Sequence, residues 1–145
     1  MSTRSRVLEL IEYVKEGRIV DAIEEFYADG VTMQENREPP TVGKVANLAR
    51  ERTFAGSIAR PNEVIARAVA VDGDQVFIEW VFDYIARGGQ RIRIEEIAQQ
   101  VWRQGRIERE RFFFDSASVL EAPTQTEEAQ LQDEAILESP ARNGG

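Results

Sequence analysis

The hydrophobic period of this chain changes part-way along it, and that change limits the folds open to it. Up to about residue 56 most apolar residues recur every three or four positions, and beyond it they alternate. Val7, Leu8, Ile11 and Val14 make a first helical stripe, stopped by Gly17. Ile19, Ala22, Ile23, Phe26 and Tyr27 make a second, closed by Asp29-Gly30. Val31 to Asn36 alternates and predicts a short strand, ended by Pro39-Pro40, because proline cannot continue a sheet interior. Val45, Leu48 and Ala49 mark a third helix from about Gly43 to Gly56. Four long alternating runs follow, Asn62 to Val71, Gln75 to Ala86, Gln90 to Arg103 and Arg106 to Phe114. Asp72-Gly73-Asp74, Arg87-Gly88-Gly89 and Gln104-Gly105 between them are hairpin signals. Helices followed by a meander predict an α+β domain whose helices cover one face of an antiparallel sheet. Strands this long twist, so the sheet should curl around the helices.

The chain has 145 residues, enough for one domain with a sizeable core. Its net charge of −8 disfavours phosphate and anionic-membrane surfaces, so neither nucleic acid nor membrane is expected as a partner. There is no cysteine and no histidine. That removes thiolate chemistry, the usual near-neutral proton shuttle and the commonest metal ligand, and no cofactor or metal is expected. Acid–base work falls to carboxylates, to Tyr13, Tyr27 and Tyr84, or to Lys15 and Lys44. Glu9 and Glu12 interrupt the apolar stretch after Arg4 and Arg6, which argues against a secretion signal, and a cytoplasmic protein is the default expectation. The domain is expected over residues 5–118. Residues 119–145 read as an acidic, mobile tail in which Thr124-Gln125-Thr126-Glu127 could open a short helix.

Three segments in order carry a resemblance to a known family: Glu25-Phe26-Tyr27-Ala28-Asp29-Gly30 running on to Asn36, Ile78-Glu79-Trp80-Val81-Phe82, and Trp102-Arg103-Gln104-Gly105 running on to Asp115. With Val42-Gly43-Lys44 ahead of the third helix, they resemble the SnoaL-like branch of the nuclear-transport-factor-2-like superfamily. The resemblance implies a cone-shaped sheet wrapped around the N-terminal helices, an apolar pocket for a small hydrophobic molecule, and a homodimer through the outer sheet face. Relatives include polyketide cyclases, ketosteroid isomerases, limonene-epoxide hydrolases and members without chemistry, so the fold does not decide function.

By the same resemblance Glu35 falls where the isomerases keep their general base, on a strand face shared with Met33. A carboxylate in an apolar cavity titrates higher, in the range useful for taking a proton from carbon. The bland reading of Glu35 is a rim residue paired with Arg37 or another arginine. The isomerases' oxyanion donors would fall near Leu10, with Tyr13 one turn further, and near Ala98, flanked by Glu96 and Gln100. The hydrolases' Asp-Arg-Asp set would fall around Trp80, Phe82 and Phe112, all apolar here. Ile78, Trp80, Phe82 and Tyr84 alternate onto one face, which the resemblance implies looks inward with Phe112 and Phe114. Glu96 and Glu110 are each a buried acid or half of a cross-strand ion pair with Arg93, Arg109 or Arg111, the pair being preferred for Glu110. Glu79 and Asp83 point to the outer face, as surface or dimer contacts. The binding candidates are thus Met33, Trp80, Phe82, Glu96, Gln100, Glu110 and Phe112. Two functional readings follow: a cyclase- or isomerase-like enzyme with a carboxylate base, and a binding or dimerisation module without chemistry.

Overall fold

Ser2 opens the first helix, α1 (Thr3–Lys15), by accepting the Ser5 amide on its hydroxyl at 3.1 Å. The structure is a computed structural model and describes residues 2–122. Val7, Leu10 and Ile11 are the buried face of α1, and Leu8 is 47% exposed. Leu10 therefore takes the place expected for Leu8, which sits about 100° round the helix from Val7. The second helix, α2 (Ile19–Phe26), buries Ala22, Ile23 and Phe26. It ends earlier than the Asp29-Gly30 pair suggests. Tyr27 is already extended, with φ −106° and ψ 139°, and opens β1 (Tyr27–Glu35) with no intervening loop.

β2 (Thr41–Val42) pairs with β1 and leads through Gly43, at φ 96°, into α3 (Lys44–Ser57). The buried Asn47 amide ties this corner together by donating to the carbonyls of Thr41 at 3.1 Å and Gly43 at 2.8 Å. The meander follows as β3 (Ile58–Asp72), β4 (Gln75–Ala86), β5 (Arg91–Arg103) and β6 (Arg106–Phe113). Gln104 (φ 51°) and Gly105 (φ 76°) both occupy the left-handed region that a two-residue hairpin turn demands. A last strand, β7 (Leu120–Ala122), pairs with the start of β5 beyond the boundary at residue 118. The rest of the acidic tail, with its Thr124–Glu127 helix signal, lies outside the described residues.

The main strand order is β2-β1-β6-β5-β4-β3, with β7 beside β5. The meander is antiparallel throughout, as its hairpin signals require, while β1 lies parallel to β6 and makes the sheet mixed. A parallel pair needs a long connection, and here α3 and the rest of the meander supply it. Register shifts in β3 and between β1 and β6 mark where the ladder bends, and the curved sheet wraps the helices as a cone. The core lies inside, where the buried faces of α1 and α2 meet Val31, Val76, Ile78, Ala98 and Ile107. Each buried valine, leucine or isoleucine among them contributes about 1.5–3 kcal/mol of burial free energy. No helix among the described residues is long and apolar enough to cross a membrane.

Candidate functional site: an acidic cavity inside the cone

The helices do not fill the concave face. A cavity of about 560 Å³ remains between them and the sheet. Strand alternation decides its lining. Trp80 and Phe82 come from β4, Ile94, Glu96 and Gln100 from β5, Glu110 and Phe112 from β6, and Phe114 just follows. β1 adds Tyr27, Met33 and Glu35, and Leu10, Val14, Ile19, Ala22 and Ile23 close it from the first two helices. α3 contributes Arg50, Glu51 and Phe54. All eight residues singled out in the sequence thus reach one cavity.

Its deepest polar group is a four-residue chain. The Trp102 indole N–H donates to Gln100 Oε1 at 2.8 Å, and Gln100 Nε2 donates to Glu110 Oε2 at 2.6 Å. The Tyr27 hydroxyl donates to Glu110 Oε1. An indole can only donate, so Trp102 fixes which end of the Gln100 amide faces it and leaves the NH₂ for Glu110. Gln100 is 1% and Glu110 2% exposed. The cross-strand ion pair expected for Glu110 does not form. Arg109 and Arg111 alternate to the opposite face, and Arg111 instead donates to the Asn36 carbonyl at 2.9 Å and lies over the Phe113 ring. Burial pushes Glu110 up to about 7 against the pull of its two donors, and burial beside Glu110 raises Tyr27 well above a normal phenol.

Glu96 also faces the cavity, directly across from Trp80 in the β4–β5 ladder. It has no hydrogen bond or ion pair among the described residues. Burial, then the charges of Glu110, Glu35 and Glu51, lift it to about 8. Glu51 rises to about 7 through burial, partly offset by Arg50 and reinforced by Glu35. Glu35 itself lies where the cavity meets solvent. Its side chain is 48% exposed and pairs with Arg50 at 3.4 Å. Just after it, Asn36 takes a left-handed φ of 48° and joins β6 through its amide and side chain, at 2.8 and 3.0 Å, which fixes the end of β1.

Among the isomerase donor positions, Leu10 reaches the cavity wall, while Ala98 is buried and off it. Tyr13 packs edge-on against Phe26, with the Arg18 guanidinium over its ring. The three hydrolase positions present Trp80, Phe82 and Phe112 to the cavity. Glu79 is partly exposed on the outer face and pairs with Arg67 at 3.5 Å. Asp83, expected beside it as a surface group, is only 2% exposed. Arg91 and Arg93 cover it at 2.8 and 3.2 Å, and Asn62 donates to it at 3.1 Å. Those hydrogen bonds, led by Arg91, hold its carboxyl down at about 2.

Sequence reasoning passed over Glu51, and it counted Tyr27 among the possible acid–base groups without placing it in the cavity. Glu51 lies three residues after Leu48 and three before Phe54, so a helical wheel of α3 puts a lone acid on the apolar stripe. Tyr27 was absorbed into the apolar stripe of α2, and its hydroxyl gives no periodic signal.

A family model described as a SnoaL-like domain matches residues 7–110. Comparison with curated proteins gives no match. Among solved structures, a candidate SnoaL-like polyketide cyclase from Mesorhizobium loti is 24% identical, with a TM-score of 0.66 over 77% of this chain and 98% of that one. A candidate isomerase from Bacillus subtilis is 19% identical, with a TM-score of 0.69 over 81% and 91%. An epoxide hydrolase from M. tuberculosis is 16% identical, with a TM-score of 0.66 over 93% and 96%. At these identities the structural likeness speaks for the fold alone.

Proposed function

The chain belongs to the SnoaL-like domain family, and we propose that it binds a small, mainly apolar carbonyl compound in the cavity and moves a proton on it. The observation that carries this reading is Glu96, a carboxyl facing an apolar cavity with no partner among the described residues. A group titrating at about 8 exchanges its proton near neutral pH, where a general base is most effective. In the proposed step the Glu96 carboxylate takes a proton from the carbon next to the carbonyl. The C–H electron pair moves to the carbonyl oxygen as an enolate. Return of the proton at another carbon is isomerisation, and attack of the enolate carbon on a second carbonyl is ring closure.

Glu35 is the second carboxylate to test for the base. Its half-exposed side chain and Arg50 pair make it a poorer desolvated base than Glu96 and a better guide at the cavity mouth. A reading without chemistry draws support from Leu10 and Ala98, apolar where an isomerase would keep its donors.

The test is deuterium wash-in at the α-carbon of a panel of cyclic ketones and diketones in heavy water, followed by mass spectrometry. Glu96→Gln should slow exchange by about 100-fold or more, while Glu35→Gln stays within about threefold of wild type. The reverse pattern would move the base to Glu35. Bound ketone with no wash-in would leave a binding module.

We extend the proposal to assembly as a homodimer. Phe77, Ile97 and Phe113 are exposed together on the outer sheet face, with Ile97 and Phe113 directly paired. Light scattering should give twice the 16.4 kDa chain mass, and a concentration-independent monomer would remove this part.

A further inference from the structure

Resting on that reading of the cavity as a ligand site, we infer that it selects an organic cation: a carbonyl compound with an ammonium or similar cationic nitrogen on an apolar body. The wall carries four carboxylates, Glu35, Glu51, Glu96 and Glu110, and one cation, Arg50. Arg50 already pairs with Glu35. Both oxygens of Glu110 are taken by Tyr27 and Gln100. Glu51 and Glu96 therefore line the cavity from α3 and β5 without an ion pair, and only Arg50, shared with Glu35, partly offsets the charge of Glu51.

The shape and walls of the site decide between possible ligands. An anion would meet four acidic side chains and a single arginine that is already paired with Glu35. A metal ion lacks a ligand set, because among the described residues no three acidic side chains converge to hold one. A neutral hydrocarbon would fill the space and leave both carboxyls further desolvated. A cation on a hydrophobic body satisfies the carboxyls and the walls together. Trp80 and Phe82 stack at 5.4 Å between ring centres, and Trp80 is the cross-strand neighbour of Glu96. A positive charge beside Glu96 thus also lies near an aromatic face.

This arrangement ties binding to proton release. In the empty cavity Glu96 is held protonated near neutral pH by burial and by the acids around it: Glu110 on β6, Glu35 on β1 and Glu51 on α3. Tyr27, on β1, faces Glu110 rather than Glu96, and Arg50 is turned to Glu35. A bound cation favours the ionised form, so Glu96 loses its proton as the ligand enters. Affinity then rises as pH approaches the value at which Glu96 titrates when empty.

The experiment compares benzyltrimethylammonium, whose charge does not titrate, with its uncharged counterpart 2,2-dimethylpropylbenzene. Dissociation constants from ligand-observed NMR should favour the cation by about tenfold at pH near 8. The preference should shrink about fivefold or more toward pH 6, and calorimetry near pH 7 in two buffers of different ionisation heat should register about half a proton released per cation. Within Glu96→Gln itself the cation and the neutral compound should bind within about twofold of each other. Equal binding of the two compounds, or cation binding without proton release, would overturn the cation selectivity and leave the cavity a ligand site. Binding of neither would overturn both.

Discussion

Asp83 and Glu96 sit on the same β4–β5 hairpin, one on each face of the sheet, and the structure treats them in opposite ways. Asp83, on the outer face, is covered by Arg91, Arg93 and Asn62 and titrates at about 2. Glu96, on the inner face, has a tryptophan across from it and three other acids within electrostatic reach, and titrates at about 8. Burial alone pushes both carboxyls upward, so partners decide the outcome. Where the fold needs a settled charge it surrounds the carboxylate with guanidinium groups. Where it leaves a carboxyl without any, the position serves something other than stability.

The contrast can be broken most forcefully from the inside. The folded protein holds the Glu96 proton up to about pH 8, whereas the unfolded chain releases it near 4.5, so Glu96 makes stability fall as pH rises between those values. Glu96→Gln should flatten that fall and make the protein more stable than wild type by about 3 kcal/mol above pH 8, measured by urea unfolding across the range. Asp83 carries the opposite sign. Its folded value lies below the ordinary 3.8, so its contribution is present above that pH and is lost as pH drops toward 2. Asp83→Ala should cost about 2 kcal/mol at neutral pH, the arginines keeping part of their solvation because they reach water. Tyr27→Phe removes one of the two donors to Glu110 and should cost about 1 kcal/mol while raising Glu110 further, read by thermal unfolding and a carboxyl titration. Glu35→Gln, at an exposed pair with Arg50, should change stability by less than about 0.5 kcal/mol.

Much of the architecture was legible because it depends on local rules. Gly73, Gly89 and Gln104-Gly105 mark the hairpins, and the even-numbered aromatic residues of β4 and β6 mark the concave face. What stayed hidden depends on long-range pairing. Nothing in Tyr27–Glu35 says that it will lie parallel to β6, because the partner is seventy residues or more away in sequence. For the same reason Glu110 read as half of a surface pair, although its partners are Tyr27 from β1 and Gln100 across the hairpin. Asp83 read as exposed because alternation gives the face a side chain takes, not what covers it. Arg91 and Arg93 cover it once β5 is in register. Glu35 was legible as a pocket residue through the family resemblance, but Glu51 needed the angle at which α3 crosses the cavity.

The central claim is that the inner carboxyl is held neutral near physiological pH while the outer one on the same hairpin stays ionised. Carbon-detected NMR of the side-chain carboxyl groups across pH tests it directly, with Glu96→Gln and Asp83→Asn to assign the resonances. The account predicts that Glu96 titrates near 8 and Asp83 near 2. A Glu96 that titrates at about 4.5, like a solvated glutamate, would contradict it.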